Sequence, residues 1–129
     1  MDEKTKRVQQ ERRVEEQLRA SNRQSRQIEE QLARNRQSLM KLEKDEQRFA
    51  DSYQRQVNAL EELSQRWKTR DGLSFMTECL QDENRFHRQI RQFLGESRRQ
   101  LEQENRKLFN QQETIVRERR QLSSGERRR

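Results

Sequence analysis

Stepping alternately four and three residues from Val14, the chain presents Val14, Leu18, Ser21, Ser25, Ile28, Leu32, Asn35, Leu39, Leu42, Glu46, Phe49, Tyr53, Gln56, Leu60, Leu63 and Trp67. Eleven of these sixteen positions are apolar or aromatic, in a segment otherwise made of charges and amides. The alternation holds without a skip for more than seven heptads, as the seam of a supercoiling helix requires. It predicts a first helix from about residue 5 to 68. A second series runs Met76, Cys79, Glu83, Phe86, Ile90, Leu94, Ser97, Leu101, Glu104, Leu108, Gln111, Ile115, Glu118 and Leu122. Two four-residue steps follow one another between Phe86 and Leu94, a stutter that relaxes a left-handed supercoil. This series predicts a second helix from about 75 to 122, followed by a disordered basic tail over 123–129.

The stretch "RWKTRDGLSFM", residues 66–76, separates the two series. A continuous helix would carry Gly72 in its interior at a cost of about 1 kcal/mol relative to Ala. A turn over 69–74 uses that glycine as a left-handed helix end, with Asp71 or Ser74 capping the next helix. Folding back there pairs Phe49 with Leu94, Tyr53 with Ile90, Gln56 with His87 and Glu46 with Ser97. Further along, Leu42 meets Leu101, Ile28 meets Ile115 and Ser21 meets Leu122. Apolar layers mostly face apolar ones, although Leu60 faces Glu83 and Asn35 faces Leu108. The expected fold is therefore all-α, a single long antiparallel two-helix coiled-coil hairpin, with residues 1–20 as an overhanging arm.

Composition changes this picture in one respect. Only 26% of the 129 residues are hydrophobic and 41% are charged, roughly half the apolar share of a globular domain. Two helices of this kind bury one stripe each and leave apolar residues beside the seam. The aromatics gather in the middle of the sequence: Phe49, Tyr53, Trp67, Phe75, Phe86 and Phe93. These six are the candidate partner-binding residues, because exposed clusters of this type mark contact surfaces.

Charge is unevenly placed. Residues 1–83 carry 17 basic and 17 acidic side chains, whereas 84–129 carry 13 basic against 6 acidic and account for the excess. A basic-region zipper would hold its positive block directly before the seam. Here "MDEKTKRVQQERRVEEQ" is mixed in sign, and the later arginines alternate with Glu and Gln. A basic coiled coil that binds nucleic acid therefore ranks third among the readings of function.

The chain offers little for catalysis. It has one Cys and one His, so neither an intrachain disulfide nor a metal-ligand cluster can be assembled. No glycine-rich phosphate loop and no nucleophile–base set is present. Glu15–Glu16, Glu29–Glu30 and Glu61–Glu62 are sequence neighbours on charged helix faces, suited to pairing with arginine. Cys79 reads as a small packed residue and His87 as structural or solvated. No enzyme and no cofactor is expected. No apolar run is long enough to cross a bilayer, and residues 1–20 lack the apolar core of a secretory signal. The expectation is a protein made in the cytoplasm, without membrane insertion, that leaves the cell only by a route needing no cleaved signal.

The second half, "FMTECLQDENRFHRQIRQFLGESRRQLEQENRKLFNQQETIVRERRQL", resembles the small helical proteins that accompany LXG-family toxins of the Gram-positive type VII secretion system. The likeness lies in a Phe-rich helix start, then "LEQENRKL", then the Arg-rich "RERRQL" end, and it covers roughly residues 40–122. Such a resemblance implies a targeting chaperone that binds the helical N-terminal domain of a toxin, with room for a second small helical protein, and assists export. Trp67 and Gly72 lie five residues apart, so the W-x-G turn of related WXG hairpins is not present. Phe109 and Glu113 are not carried over as an export signal. The alternative from another class is the two-helix stalk protein of a type III or flagellar export ATPase, which shares the hairpin but acts on a rotary ring.

Overall fold

The computed structural model of the chain describes residues 2–127. It contains two helices, α1 (Glu3–Arg66) and α2 (Arg70–Arg127), packed side by side and antiparallel. No described residue lies in a strand. The all-α hairpin expected from the two heptad series is the fold observed.

The connection is shorter than the sequence suggests and uses different residues. α1 ends with the Trp67 amide donating to the Leu63 carbonyl at 2.8 Å. Only Trp67, Lys68 and Thr69 separate the helices. Thr69, rather than Asp71 or Ser74, caps α2. Its hydroxyl oxygen accepts the Gly72 amide at 3.1 Å, and its carbonyl accepts the Leu73 amide at 2.9 Å. This is the N-cap geometry that satisfies orphan amides of a first turn. Gly72 is helical, and no described glycine has positive φ. What it supplies is space. A Cβ at Gly72 would lie 2.7–2.8 Å from the Trp67 ring, so the indole rests directly on the glycine backbone.

The shorter turn moves the facing register. Where the sequence pairs His87 with Gln56, the His87 ring stacks on Tyr53 and Phe49. Where it sets Asn35 against Leu108, the Asn35 amide donates to Asn105 at 2.9 Å. Tyr53 and Asn35 therefore meet α2 residues about one turn earlier than the sequence suggests, whereas Glu46, expected opposite Ser97, pairs with its neighbour Arg98. The correction also turns an apolar–polar mismatch into a matched asparagine layer.

Inward positions on α1 follow the expected series from Val14 through Tyr53. Beyond it, Val57, Leu60 and Ser64 turn inward, while Gln56, Leu63 and Trp67 are exposed. On α2, His87, Asn105, Gln112 and Arg119 turn inward in place of Phe86, Glu104, Gln111 and Glu118. The successive four-residue steps therefore lie at Ser97–Leu101–Asn105, further along than expected. α2 remains helical to Arg127. That overturns the disordered tail for residues 123–127, and Arg128 and Arg129 lie outside the described residues.

The helices divide by contact density into two units, Met1–Arg36 with Glu102–Arg129, and Gln37–Leu101. In the first unit the buried residues are Ile28, Ile115, Ser21 and Asn35. Asn35 also accepts from Gln31 at 2.9 Å, and Arg119 donates to the Ser21 carbonyl at 3.3 Å. Lys6, Gln10, Arg13 and Val14 share a groove with Leu122 and Gly125. Pairing thus reaches well into the segment that the sequence leaves as an overhang, because α2 extends past Leu122. In the second unit Met76 and Gly72 are buried. No side chain among the described residues is completely enclosed. The core is a thin, partly polar stripe, as two helices without a third layer must produce.

Candidate partner-binding site

The Gln37–Leu101 unit holds all six aromatics singled out from the sequence, and it sorts them into two groups. Phe49 and Tyr53 belong to the seam. Tyr53 lies over His87 with centroids 3.9 Å apart and rings 22° from parallel, and Phe49 stacks on the same imidazole at 5.2 Å. The Tyr53 hydroxyl donates to the Asn84 side chain across the helices. These two rings are half-buried and fasten α1 to α2.

The other four are presented to solvent. Trp67, Phe75, Phe86 and Phe93 are each about half exposed or more, with Phe93 highest at 65%. Phe75, Phe86 and Phe93 each stand one position before an inward residue, namely Met76, His87 and Leu94. They therefore share one flank of α2. Phe86 meets Phe49 edge-on at 6.4 Å, and Phe75 meets Trp67 at 5.9 Å. Exposed Leu63 and Leu73 lie near the same end. The sequence pattern assigns Leu63 to the seam and does not single out Leu73. The available signal was their position beside the turn, where a helix end leaves side chains uncovered.

The opposite flank of this unit differs in chemistry. Glu43, Gln47 and Ala50 of α1 line a groove with Arg91, Gly95 and Arg98 of α2. Arg98 reaches Glu46 at 2.7 Å, with both side chains more than a third exposed. One side of the unit is thus aromatic and the other polar. Such asymmetry arises because Phe86 and Phe93 repeat at seven residues while Arg91 and Arg98 repeat at the same interval five residues on.

Electrostatics separate the two units as well. The Gln37–Leu101 unit carries 12 basic and 11 acidic side chains, and the remaining residues carry 18 and 12. Among described residues the only titratable group with a resolved shift is His87. Its pKa is lowered from 6.5 by burial and then by the neighbouring Arg91 charge. Its buried Nδ1 has no hydrogen-bond partner. Neutral, flat imidazole is the form that the aromatic stack accommodates. Cys79 is a free, half-buried thiol.

Among the described residues there is no group of His, Cys, Asp and Glu able to hold a metal, and no helix is long and apolar enough to cross a membrane. The fold is an all-α helical hairpin that carries exposed aromatic side chains along one flank of α2. The chain belongs to the DUF3958 family, described as a protein of unknown function, whose sequence model matches residues 16–122. No curated protein and no solved structure matches it.

Proposed function

We propose that this protein is a non-catalytic helical adaptor, made in the cytoplasm, that docks through the aromatic flank of its Gln37–Leu101 unit onto a helical protein partner. The observation that carries the reading is the placement of Phe75, Phe86 and Phe93 on one exposed flank of α2. A third helix laid along that flank would remove these rings from water. Each buried aromatic ring is worth roughly 2 kcal/mol or more. The partner proposed is the helical N-terminal domain of an LXG-type toxin, with the adaptor acting as a targeting chaperone for type VII export. That choice rests on the sequence resemblance described above, and the fold is compatible with it.

The test is co-expression with the helical N-terminal domain of an LXG-type toxin, followed by co-purification. Phe86→Glu and Phe93→Glu should reduce recovery of the complex about tenfold or more. Arg99→Ala, an exposed charge of the same unit, should leave recovery nearly unchanged. Equal recovery for all three variants would remove the aromatic flank from the interface. Failure of the wild-type chain to retain the toxin domain would remove the partner.

A further inference from the structure

Granted that the aromatic flank is the docking surface, we infer that the helix it takes is charged differently along its two edges, acidic towards α1 and basic towards α2. Between antiparallel helices, side chains one position before an inward residue fall on one side of the pair, and those one position after fall on the other. The polar groove shows the second set. Glu43, Gln47 and Ala50 follow Leu42, Glu46 and Phe49, while Arg91, Gly95 and Arg98 follow Ile90, Leu94 and Ser97. Phe86 and Phe93 belong to the first set. So do Lys41 and Arg48, one position before Leu42 and Phe49, and Asp82 and Glu96, one position before Glu83 and Ser97.

The aromatic flank is therefore a trough with walls of opposite sign. Lys41 and Arg48, seven residues apart, form a basic ridge on α1, and Asp82 and Glu96, with Gln89 midway between them, form an acidic ridge on α2. All four charges are exposed. Asp45 lies on the α1 side too, but it is half-buried beside the seam, below the ridge. On the polar flank the signs are reversed, and the Glu46–Arg98 bridge at 2.7 Å closes the gap. On the aromatic flank no ion pair joins the walls among the described residues. Glu96 accepts from Gln92 of its own helix at 3.5 Å. A helix laid over Phe86 and Phe93 meets the basic ridge with one edge and the acidic ridge with the other. Carboxylates on the first edge and Lys or Arg on the second complement both, as flanking charges do when they select partners in coiled coils. Turning such a helix end for end exchanges its edges, so the charges also fix its direction.

Three synthetic peptides test this on the full chain, each of about three heptads with the same Leu/Ala seam. One carries Glu on one edge and Lys on the other, one carries Glu on both, and one carries Lys on both. In fluorescence anisotropy at low salt, the mixed peptide should bind about three- to tenfold more tightly than either uniform one. The gap should narrow at high salt. The chain's net charge of +7 favours the all-Glu peptide, so this order cannot come from net charge. Lys41→Glu with Arg48→Glu should make the all-Lys peptide the tightest binder, and Asp82→Lys with Glu96→Lys should make it the all-Glu peptide. Phe93→Glu should weaken all three. An order unchanged in both pairs of variants would overturn the inference. Binding that needs Phe93 but ignores the edges would overturn it too, while leaving the docking surface in place. Binding of no peptide would remove the flank as a helix dock and overturn both. Self-association of the chain that Phe93→Glu abolishes would make a second copy the occupant, against the inference.

Discussion

Gly72→Ala is a sharp probe of the turn because two effects of known size oppose one another there. In an ordinary helix interior, replacing Gly by Ala stabilises by about 1 kcal/mol. At Gly72 the new methyl would meet Trp67 Cγ at 2.7 Å and Cδ1 and Cδ2 at 2.8 Å, distances that force the ring to move. Trp67 is 46% exposed, so its seat covers about half of the indole. At about 25 cal/mol per Å² and up to about 250 Å² for a buried Trp, that half is worth roughly 3 kcal/mol, and nearer 2 against a compact unfolded chain. The clash therefore wins. Gly72→Ala should destabilise by about 1–2 kcal/mol net. Urea unfolding measures the loss, and because Trp67 is the sole tryptophan, its fluorescence reports the ring directly and should shift to the red. In a Trp67→Ala background the clash is gone, and the same substitution should stabilise by about 1 kcal/mol. Stabilisation in the wild-type background, with unchanged emission, would refute the seating of the indole on Gly72.

Replacing the asparagine layer by Asn35→Leu with Asn105→Leu should raise stability by about 1–2 kcal/mol, since both partners of a seam hydrogen bond are removed together. The same change should loosen register or oligomer state, seen as heterogeneous mass in light scattering, because a polar layer in a seam specifies pairing. Glu46→Ala should cost no more than about 1 kcal/mol in thermal melts, as the Glu46–Arg98 pair is partly exposed and screened. His87 makes stability depend on pH. Its folded pKa lies below the unfolded 6.5, so the unfolded chain takes up its proton first. Stability should be full above about pH 6.5 and decline as pH falls through 6.5 toward the lowered folded value. His87→Phe should abolish that slope between about pH 7.5 and 5.5, leaving carboxylate effects at lower pH. An unchanged slope in His87→Phe would remove imidazole as the source.

The hairpin was legible because the α1 seam alternates so regularly that apolar spacing and inward facing coincide from Val14 to Tyr53. Past that point the pattern misleads for a physical reason. Hydrophobicity places Phe86 inside, but the phase of α2 is set by where the chain turns and what it meets. With only three residues in the connection, His87 arrives opposite Phe49 and Tyr53 and stacks there, which rotates Phe86 outward. Further along, beyond the Ser97–Leu101–Asn105 steps, Asn105 meets Asn35 and Arg119 meets Ser21. Polar side chains in a seam are invisible to apolar periodicity, so the apolar pattern places the stutter before Leu94 although it lies at Ser97–Leu101–Asn105.

That phase shift also decides what the aromatics can do. Had Phe86 packed inside, Phe75 and Phe93, 18 residues apart on α2, would have remained as separate exposed rings, which on a protein surface are commonplace and weak as anchors. Because His87 takes the inward place, Phe75, Phe86 and Phe93 fall into line on one flank. The imidazole is thus coupled to the surface without being part of it. If His87→Phe preserves the inward stack, partner capture by the flank should persist. A bulky aliphatic such as His87→Ile cannot stack flat between Tyr53 and Phe49. It should disturb the phase of α2 and weaken capture together with thermal stability. Capture lost in His87→Phe while the fold and its melting temperature are retained would show that the imidazole itself contacts the partner.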